Sequence, residues 1–78
     1  MKLKVYADGA SRGNPGPAAF AVIVCSEEGK TLRKFARYIG DATNNEAEYR
    51  GIIAALKEAQ SLGADAVEVT MDSELVIN

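Results

Sequence analysis

The segment that decides the fold is residues 6–17, YADGASRGNPGP, and it follows a short run in which polar and apolar residues alternate. The run over residues 2–7 predicts a first strand, which we expect to end at Asp8. The three glycines and two prolines of residues 9–17 predict a loop. An aspartate at the end of a strand, beside backbone that a ligand can approach closely, is a common setting for a hard metal ion held against a phosphate. Asp8 is therefore the first candidate metal ligand.

Two further strands are predicted after this loop. Residues 18–25, AAFAVIVC, are apolar throughout and predict a buried second strand. The polar residues 26–30 contain one glycine and are typical of a hairpin loop. Residues 31–39 alternate and predict a third strand, with Leu32 and Ile39 on opposite faces. The basic residues of this strand favour the edge of the sheet, where charge discourages pairing with another chain.

A long helix and a fourth strand complete the predicted elements. Thr43 and Glu46 have the spacing of a capping box, which predicts a helix over residues 44–62. Gly63 is suited to the left-handed position just past the helix end, and residues 66–71 predict the fourth strand. The apolar residues at helical spacing are Ala47, Tyr49, Ile52, Ile53, Leu56, Ala59 and Leu62.

These elements predict an α/β fold with a mixed sheet and one long crossing helix. A right-handed crossover would place strand four parallel to strand one and beside it. The chain of 78 residues suffices for one small domain. Residues 75–77, Leu-Val-Ile, have the pattern of the first turn of another helix. We therefore expect residues 1–78 to be the N-terminal portion of a domain that is incomplete at its C-terminus, with self-association possible through the apolar end.

The composition excludes several kinds of chemistry. The chain has no histidine, which excludes catalysis by histidine and zinc sites with histidine ligands. Its single cysteine, Cys25, lies in an apolar run and is expected to be a buried thiol. The net charge of −2 gives no electrostatic reason for binding nucleic acid, so metal ions would have to supply positive charge. We find no signal peptide or membrane-spanning stretch, and expect a cytoplasmic location without a membrane partner.

Three carboxylates are expected to meet in this fold. Asp8 and Asp72 would lie at the carboxyl ends of adjacent parallel strands, where α/β sheets usually bind ligands. Glu48 lies in the second turn of the helix and is predicted to face the core side rather than open water. Clustered carboxylates repel one another unless a cation is present, and ligands made only of oxygen favour Mg²⁺, with Mn²⁺ as a substitute. Two such ions can stabilise both the attacking water and the leaving oxygen in phosphodiester hydrolysis.

Each residue also has a purely structural interpretation. Taken alone, Asp8 is typical of a turn residue, Asp72 of a helix N-cap, and Glu48 of a solvated side chain. Residues 13–16 are typical of a tight turn, and the basic residues of strand three are typical of a solvated edge. The joint placement of three acids at two strand ends and one helix face favours the metal-site interpretation.

The motifs resemble those of a known family. Residues 8–16 (DGASRGNPG), 43–48 (TNNEAE) and 71–73 (MDS) resemble ribonuclease H of type 1, in particular its short bacterial and archaeal group. The resemblance covers essentially the whole chain. It implies a ribonuclease H-like mixed sheet in the order 3-2-1-4-5, of which this chain carries the first four strands and lacks the fifth.

The resemblance also implies an activity and a set of site residues. The activity is endonucleolytic hydrolysis of the RNA strand of RNA/DNA hybrids with two Mg²⁺ ions. Asp8, Glu48 and Asp72 are implied as catalytic metal ligands. The residues implied in nucleic-acid binding are Gly13, Asn14, Asn44, Asn45 and Glu74, the last at a position where the family often has glutamine. The family's fourth carboxylate has no counterpart here, so the 78-residue piece is expected to be weakly active or inactive.

Alternative functions remain open from the sequence. The same fold could bind nucleic acid or a protein without cutting, although clustered negative charge facing phosphates would not help a pure binder. The domain could also be fused to a phosphatase or a polymerase in a larger protein. Enzymes of DNA transposition and integration share the fold, but the GNPG and NNEAE segments favour the branch that cuts hybrids.

Overall fold

The computed structural model describes residues 1–71, which form a four-stranded sheet crossed by one helix. The strand order is β3-β2-β1-β4, with β1 antiparallel to β2, β2 antiparallel to β3, and β1 parallel to β4. The predicted α/β class, strand order and edge position of the third strand are therefore confirmed. The elements are β1 Lys2–Ser11, β2 Gly16–Ser26, β3 Thr31–Ala42, α1 Asn44–Ser61 and β4 Ala66–Thr70.

Three predictions fall outside the described residues. They concern Asp72 as a metal ligand, Glu74 as a nucleic-acid contact, and residues 75–77 as a surface for self-association. No helix among the residues that the structure describes is long and apolar enough to cross a membrane.

The first strand is longer than the sequence predicts, and Asp8 does not end it. Strand β1 continues to Ser11 because its last residues pair in register with β2, where Gly9 lies opposite Phe20 and Ser11 opposite Ala18. Asp8 therefore lies inside β1, and the predicted loop over residues 9–17 shrinks to residues 12–15. A hydrogen bond of 2.8 Å from the backbone N–H of Arg12 to the carbonyl of Pro17 closes this short connection.

The core lies between one face of the sheet and helix α1. Alternate residues of β2 are buried, so the prediction that this whole strand is buried holds for one face only. The sheet residues of the main buried cluster are Leu3, Val5 and Ala7 of β1 and Phe20, Val22 and Val24 of β2. Cys25 is also buried, as predicted.

The helix faces the sheet mainly with small residues, and of the predicted large ones only Ile52 and Leu62 pack against the core. Its buried residues recur every four positions and are Ala47, Gly51, Ala55 and Ala59. Tyr49, Ile53 and Leu56 belong to the predicted apolar face, but they are 70%, 44% and 41% exposed. The small residues let the helix backbone come close to the sheet, because a Cβ atom at Gly51 would already lie 3.3 Å from that of Phe20. The larger residues on the neighbouring rows therefore point outward.

Two bulges correct the predicted faces of β3. The register with β2 shifts twice, which leaves Leu32 and Ile39 as extra residues without a partner in the pairing. An extra residue kinks the strand and re-aims its side chains. As a result Leu32 and Ile39 both pack against the core, although strict alternation places them on opposite faces.

The predicted helix start and the residue after the helix are confirmed. The backbone N–H of Glu46 donates to Thr43 Oγ1 and the backbone N–H of Thr43 donates to Glu46 Oε1, each over 3.1 Å, which completes the capping box. Gly63 has a φ angle of +90°, as expected just past a helix end. The chain then enters β4 through Asp65, whose Oδ1 accepts a hydrogen bond of 2.6 Å from the terminal ammonium of Met1.

Candidate catalytic and nucleic-acid-binding site

Gly9 brings the first turns of helix α1 directly against strand β1. A Cβ atom at Gly9 would lie 2.4 Å from the carbonyl carbon of Ala47 and 2.6 Å from the backbone nitrogen of Glu48. These distances are far shorter than van der Waals contact, so only glycine allows the two backbones to approach this closely. Glu48 therefore lies against the residue that follows Asp8. The contact thus brings the backbones of two predicted metal ligands, Asp8 and Glu48, close to each other.

The environment of Asp8 and Glu48 fits a hard divalent cation. Both residues are half-buried, and the Oδ1 atom of Asp8 is shielded from solvent. Carboxylates that share a partly buried position repel one another, and a cation relieves such repulsion. Their oxygen atoms are the ligands that Mg²⁺ and Mn²⁺ prefer. Among residues 1–71 no group of three or more acidic, histidine or cysteine side chains is placed to hold a metal, since the third predicted ligand, Asp72, is not described.

The parallel pairing of β4 with β1 determines which part of β1 the end of β4 adjoins. Thr70 pairs with Tyr6, which lies two residues before Asp8. The described chain ends one residue later, at Met71. The end of β4 thus adjoins the part of β1 that carries Asp8.

The short loop after β1 is joined to the start of helix α1 by two asparagines. The backbone N–H of Asn44 donates to Asn14 Oδ1 over 3.0 Å. The backbone N–H of Ser11 donates to Asn44 Oδ1 over 2.7 Å. Gly13 lies in the same loop with a φ of +84°, and Asn45 is exposed in the first turn of the helix. The structure therefore brings together four of the five residues that the resemblance implies in nucleic-acid binding.

Sequence reasoning missed Ser11 as part of this region. Its hydroxyl lies within hydrogen-bond distance of the carbonyl oxygens of Gly13, Gly16 and Ala42. The available signal was a small polar residue directly before a glycine turn, where serine often bonds to nearby backbone. Because the sequence predicts a loop over residues 9–17, it gives Ser11 no role of its own.

Two open grooves border this region. One has a volume of about 480 Å³ and lies along the outer side of the first helical turns, from Asn45 to Ile53, with exposed Tyr49 in its wall. The other has a volume of about 280 Å³ and lies on the sheet face between Ser11 and Tyr38. The sequence did not predict either groove, because both depend on which large side chains the packing leaves outside.

The basic residues of β3 have interactions typical of a solvated edge. Arg33 forms an ion pair with Glu58 of α1 over 3.3 Å, and both side chains are partly exposed. The guanidinium of Arg37 lies over the ring of Phe35, 5.2 Å from its centre. These contacts agree with the structural interpretation of this edge.

Comparison with known proteins identifies the family. The reverse transcriptase-like family matches residues 6–78. A bifunctional protein of Mycobacterium tuberculosis is 51% identical over 99% of this chain, which spans only 21% of that protein. The solved RNase H1 of the halophilic archaeon Halobacterium salinarum has 47% identity and a TM-score of 0.89. LC11-RNase H1, solved in complex with an RNA/DNA hybrid, has 47% identity and a TM-score of 0.84.

Both solved proteins are matched over 96% of this chain, which covers 57% of each of them. The chain thus spans little more than half of the solved relatives and about a fifth of the mycobacterial protein. The family match covers nearly all of the chain, and the sheet order agrees with the fold of the solved relatives. The chain belongs to the reverse transcriptase-like family, and within that family it is related to the type 1 ribonucleases H.

Proposed function

We propose that the protein carrying this chain is an endonuclease that hydrolyses the RNA strand of RNA/DNA hybrids with the help of divalent metal ions. The observation that carries this proposal is the backbone contact at Gly9, which brings Glu48 of α1 against the residue that follows Asp8 in β1. The similarity to LC11-RNase H1, which was solved with such a hybrid, supports the choice of substrate.

Asp8 and Glu48, together with Asp72, are proposed to bind the metal ions. The resemblance implies two Mg²⁺ ions, for which Mn²⁺ can substitute. Divalent ions bound there supply positive charge and Lewis acidity for phosphodiester hydrolysis. The carboxylates hold that charge at one edge of the sheet, and their partial burial limits its screening by water. This arrangement also explains how a chain with a net charge of −2 can approach a polyanion.

The loop after β1 and the start of α1 are proposed to contact the hybrid. Asn14, Asn44 and Asn45 are exposed and carry amide groups that suit the sugar and base edges of a shallow groove. Gly13 offers backbone without a side chain, and Glu74 is included because the resemblance implies it. The 2′-hydroxyl groups of the RNA strand would distinguish the hybrid from DNA at this surface.

Asp8→Asn tests the proposal in the protein at full length. Asparagine has nearly the same size but no charge, so we expect turnover of a labelled hybrid in Mg²⁺ to fall at least about 100-fold, while the unfolding midpoint changes little. Asp41→Asn, at an exposed residue of β3, is the matched control and should keep its turnover. The 78-residue chain, assayed in parallel, is expected to cleave weakly because the fourth family carboxylate is not among its residues.

Two results would contradict the proposal in different ways. Full turnover by Asp8→Asn would remove this carboxylate from the metal site. Tight binding of the hybrid without cleavage by the unmodified full-length protein would instead favour the alternative function, a binding module of the same fold. Calorimetry with Mg²⁺ separates the two cases, since only the nuclease requires metal binding that depends on the carboxylates.

A further inference from the structure

A relay of two hydrogen bonds connects the end of β1, the start of α1 and the loop between β1 and β2. The backbone N–H of Ser11 donates to the side-chain oxygen of Asn44 over 2.7 Å. The backbone N–H of Asn44 donates in turn to the side-chain oxygen of Asn14 over 3.0 Å. Asn44 lies 33 positions from Ser11 and 30 from Asn14 in the chain, so the relay exists only in the folded domain.

The chemistry of the relay fixes which end of each amide points outward. An amide group has an oxygen that accepts hydrogen bonds and a nitrogen that donates them. Both relay partners are backbone N–H groups, which can only donate, so the oxygen of Asn14 and that of Asn44 must face inward. Neither amide nitrogen donates a hydrogen bond to another residue in the described range 1–71, and both side chains are exposed. Each residue therefore presents an NH₂ group to solvent.

The Ser11 hydroxyl holds this relay in place. It donates to the carbonyl oxygen of Ala42 over 2.7 Å, and the carbonyl oxygens of Gly13 and Gly16 also lie within hydrogen-bond distance of it. Ala42 is the last residue of β3 and directly precedes the N-cap of the helix, Thr43. The hydroxyl thus sets the distance between the end of β1 and the first helical residues, where Asn44 lies.

We propose that Ser11 is a positioning residue that holds Asn14 and Asn44 as a pair of outward hydrogen-bond donors for acceptor atoms of the nucleic acid. This inference rests on the proposed function. Purine N3, pyrimidine O2 and the oxygen of the 2′-hydroxyl are acceptors that lie in the minor groove. Because the amide oxygens are occupied by the relay, this pair recognises acceptors and does not offer acceptor atoms in return. Fixing the amides before binding also reduces the entropy lost when the hybrid is bound.

A purely structural role for the relay predicts a different outcome from recognition. The Asn14 oxygen satisfies one of the backbone N–H groups at the helix start, which have no partner within the helix. If that were its whole purpose, loss of the Ser11 hydroxyl would lower stability and leave the affinity of the folded protein for a hybrid unchanged. The two roles can therefore be distinguished by measuring the order of the side-chain amide groups and the affinity for the hybrid in separate experiments.

The first experiment measures how ordered the amide groups of Asn14 and Asn44 are in the full-length protein without nucleic acid. Nitrogen-15 relaxation reports the order of side-chain NH₂ groups, and Asn45 is an exposed neighbour for which the structure records no such relay bond. We expect Ser11→Ala to lower the order parameters of Asn14 and Asn44 and to leave that of Asn45 unchanged. Ser11→Thr keeps the hydroxyl and should restore both values. Unchanged order in Ser11→Ala would overturn the positioning role.

The second experiment measures hybrid binding and cleavage by the same variants. Loss of a well-placed hydrogen bond typically weakens binding about three- to tenfold. We expect Ser11→Ala to raise Kd and KM for a short RNA/DNA hybrid by that factor, with kcat unchanged, and Ser11→Thr to restore them. In the unmodified protein the NH₂ signals of Asn14 and Asn44 should shift on titration with the hybrid, while that of Gln60, at the far end of α1, should not.

The outcomes distinguish the inference from the proposed function. If the unmodified protein binds the hybrid but the two NH₂ signals do not shift, or if Ser11→Ala lowers kcat at constant KM, the donor pair is wrong and the nuclease proposal stands. If the unmodified protein neither binds nor cleaves the hybrid, the proposed function fails. The relaxation measurement would still decide whether Ser11 orders the two amides.

Discussion

Replacing Gly9 by alanine should separate helix α1 from strand β1 and disrupt the candidate metal site. The new Cβ atom would lie 2.4 Å from the carbonyl carbon of Ala47 and 2.6 Å from the backbone nitrogen of Glu48. Ordinary contact begins near 3.4 Å, so the first turns of the helix would have to move away by about 1 Å. Ala47 is completely buried, and no flexible side chain can yield in place of the backbone.

The expected loss of stability follows from two opposing effects. Overpacking of a well-packed core costs typically 1–3 kcal/mol, and a clash between backbones belongs near the upper end of that range. Gly9 does not have a positive φ, so alanine also restricts the unfolded chain and returns about 0.4–1 kcal/mol. The net loss is about 2 kcal/mol out of the roughly 4–12 kcal/mol expected for 78 residues. This loss corresponds to a Tm lower by about 8–16 °C in a domain of 60–100 residues and by about 4–8 °C in one of 150–250 residues.

Urea and thermal unfolding of the full-length protein, together with hybrid cleavage, provide the assay. Gly51→Ala is the matched control, because its Cβ would meet Phe20 at 3.3 Å and the gain in helix propensity of about 1 kcal/mol offsets that mild contact. A second variant, Gly9→Ala with Ala47→Gly, should not recover, since the clash involves backbone atoms of Ala47. Recovery in this double variant, or a Gly9→Ala protein as stable and active as the unmodified one, would refute the argument.

Two further predictions concern the helix start and the chain terminus. Thr43→Ala removes the side chain that caps the backbone N–H of Glu46, and should lower the free energy of unfolding, measured with urea, by about 0.5–2 kcal/mol. Adding Glu46→Ala should lower it little further, because the two side chains act as one capping box. The terminal ammonium of Met1 donates a hydrogen bond to Asp65 and thereby lowers the pKa of that carboxyl below its ordinary value of 3.8. Because the folded state lowers the pKa of Asp65, the ion pair with the terminal ammonium contributes to stability above about pH 3.8. That contribution is lost as the pH falls through the folded-state pKa of Asp65. Asp65→Asn should therefore flatten the acid side of the stability curve, and unfolding curves that stay parallel for the two proteins at acid pH would contradict this.

The order of the elements could be predicted because each one carries a local signal. A capping box at Thr43 and a glycine at position 63 mark the two ends of the helix, and both depend on residues within a few positions of each other. Strand pairing then follows from the crossover rule, which leaves strand four parallel to strand one. These features needed no knowledge of distant contacts.

The bounds and faces of the strands could not be predicted as well. The sequence predicts a loop at Gly9 because the glycines and prolines that follow mark a turn, and nothing near Gly9 in the sequence shows that a helix crosses at this position. The bulges at Leu32 and Ile39 likewise depend on how β3 matches the length and twist of β2. Both errors arise where the conformation of one segment is decided by another that is distant in sequence.

At the candidate site, the sequence predicts the residues but not the backbone contact between β1 and α1. Residue types and motif spacing indicate Asp8 and Glu48, but the close approach of the two backbones depends on the absence of a side chain at Gly9. Small residues at positions 47, 51, 55 and 59 keep the helix close to the sheet along its whole length. A helix held off by leucine or isoleucine on that row would bury more apolar surface, yet it would carry Glu48 away from β1. The packing of this domain thus favours a close approach at the site over a larger core, and the exposed Tyr49 and Ile53 are the consequence on the opposite side of the helix.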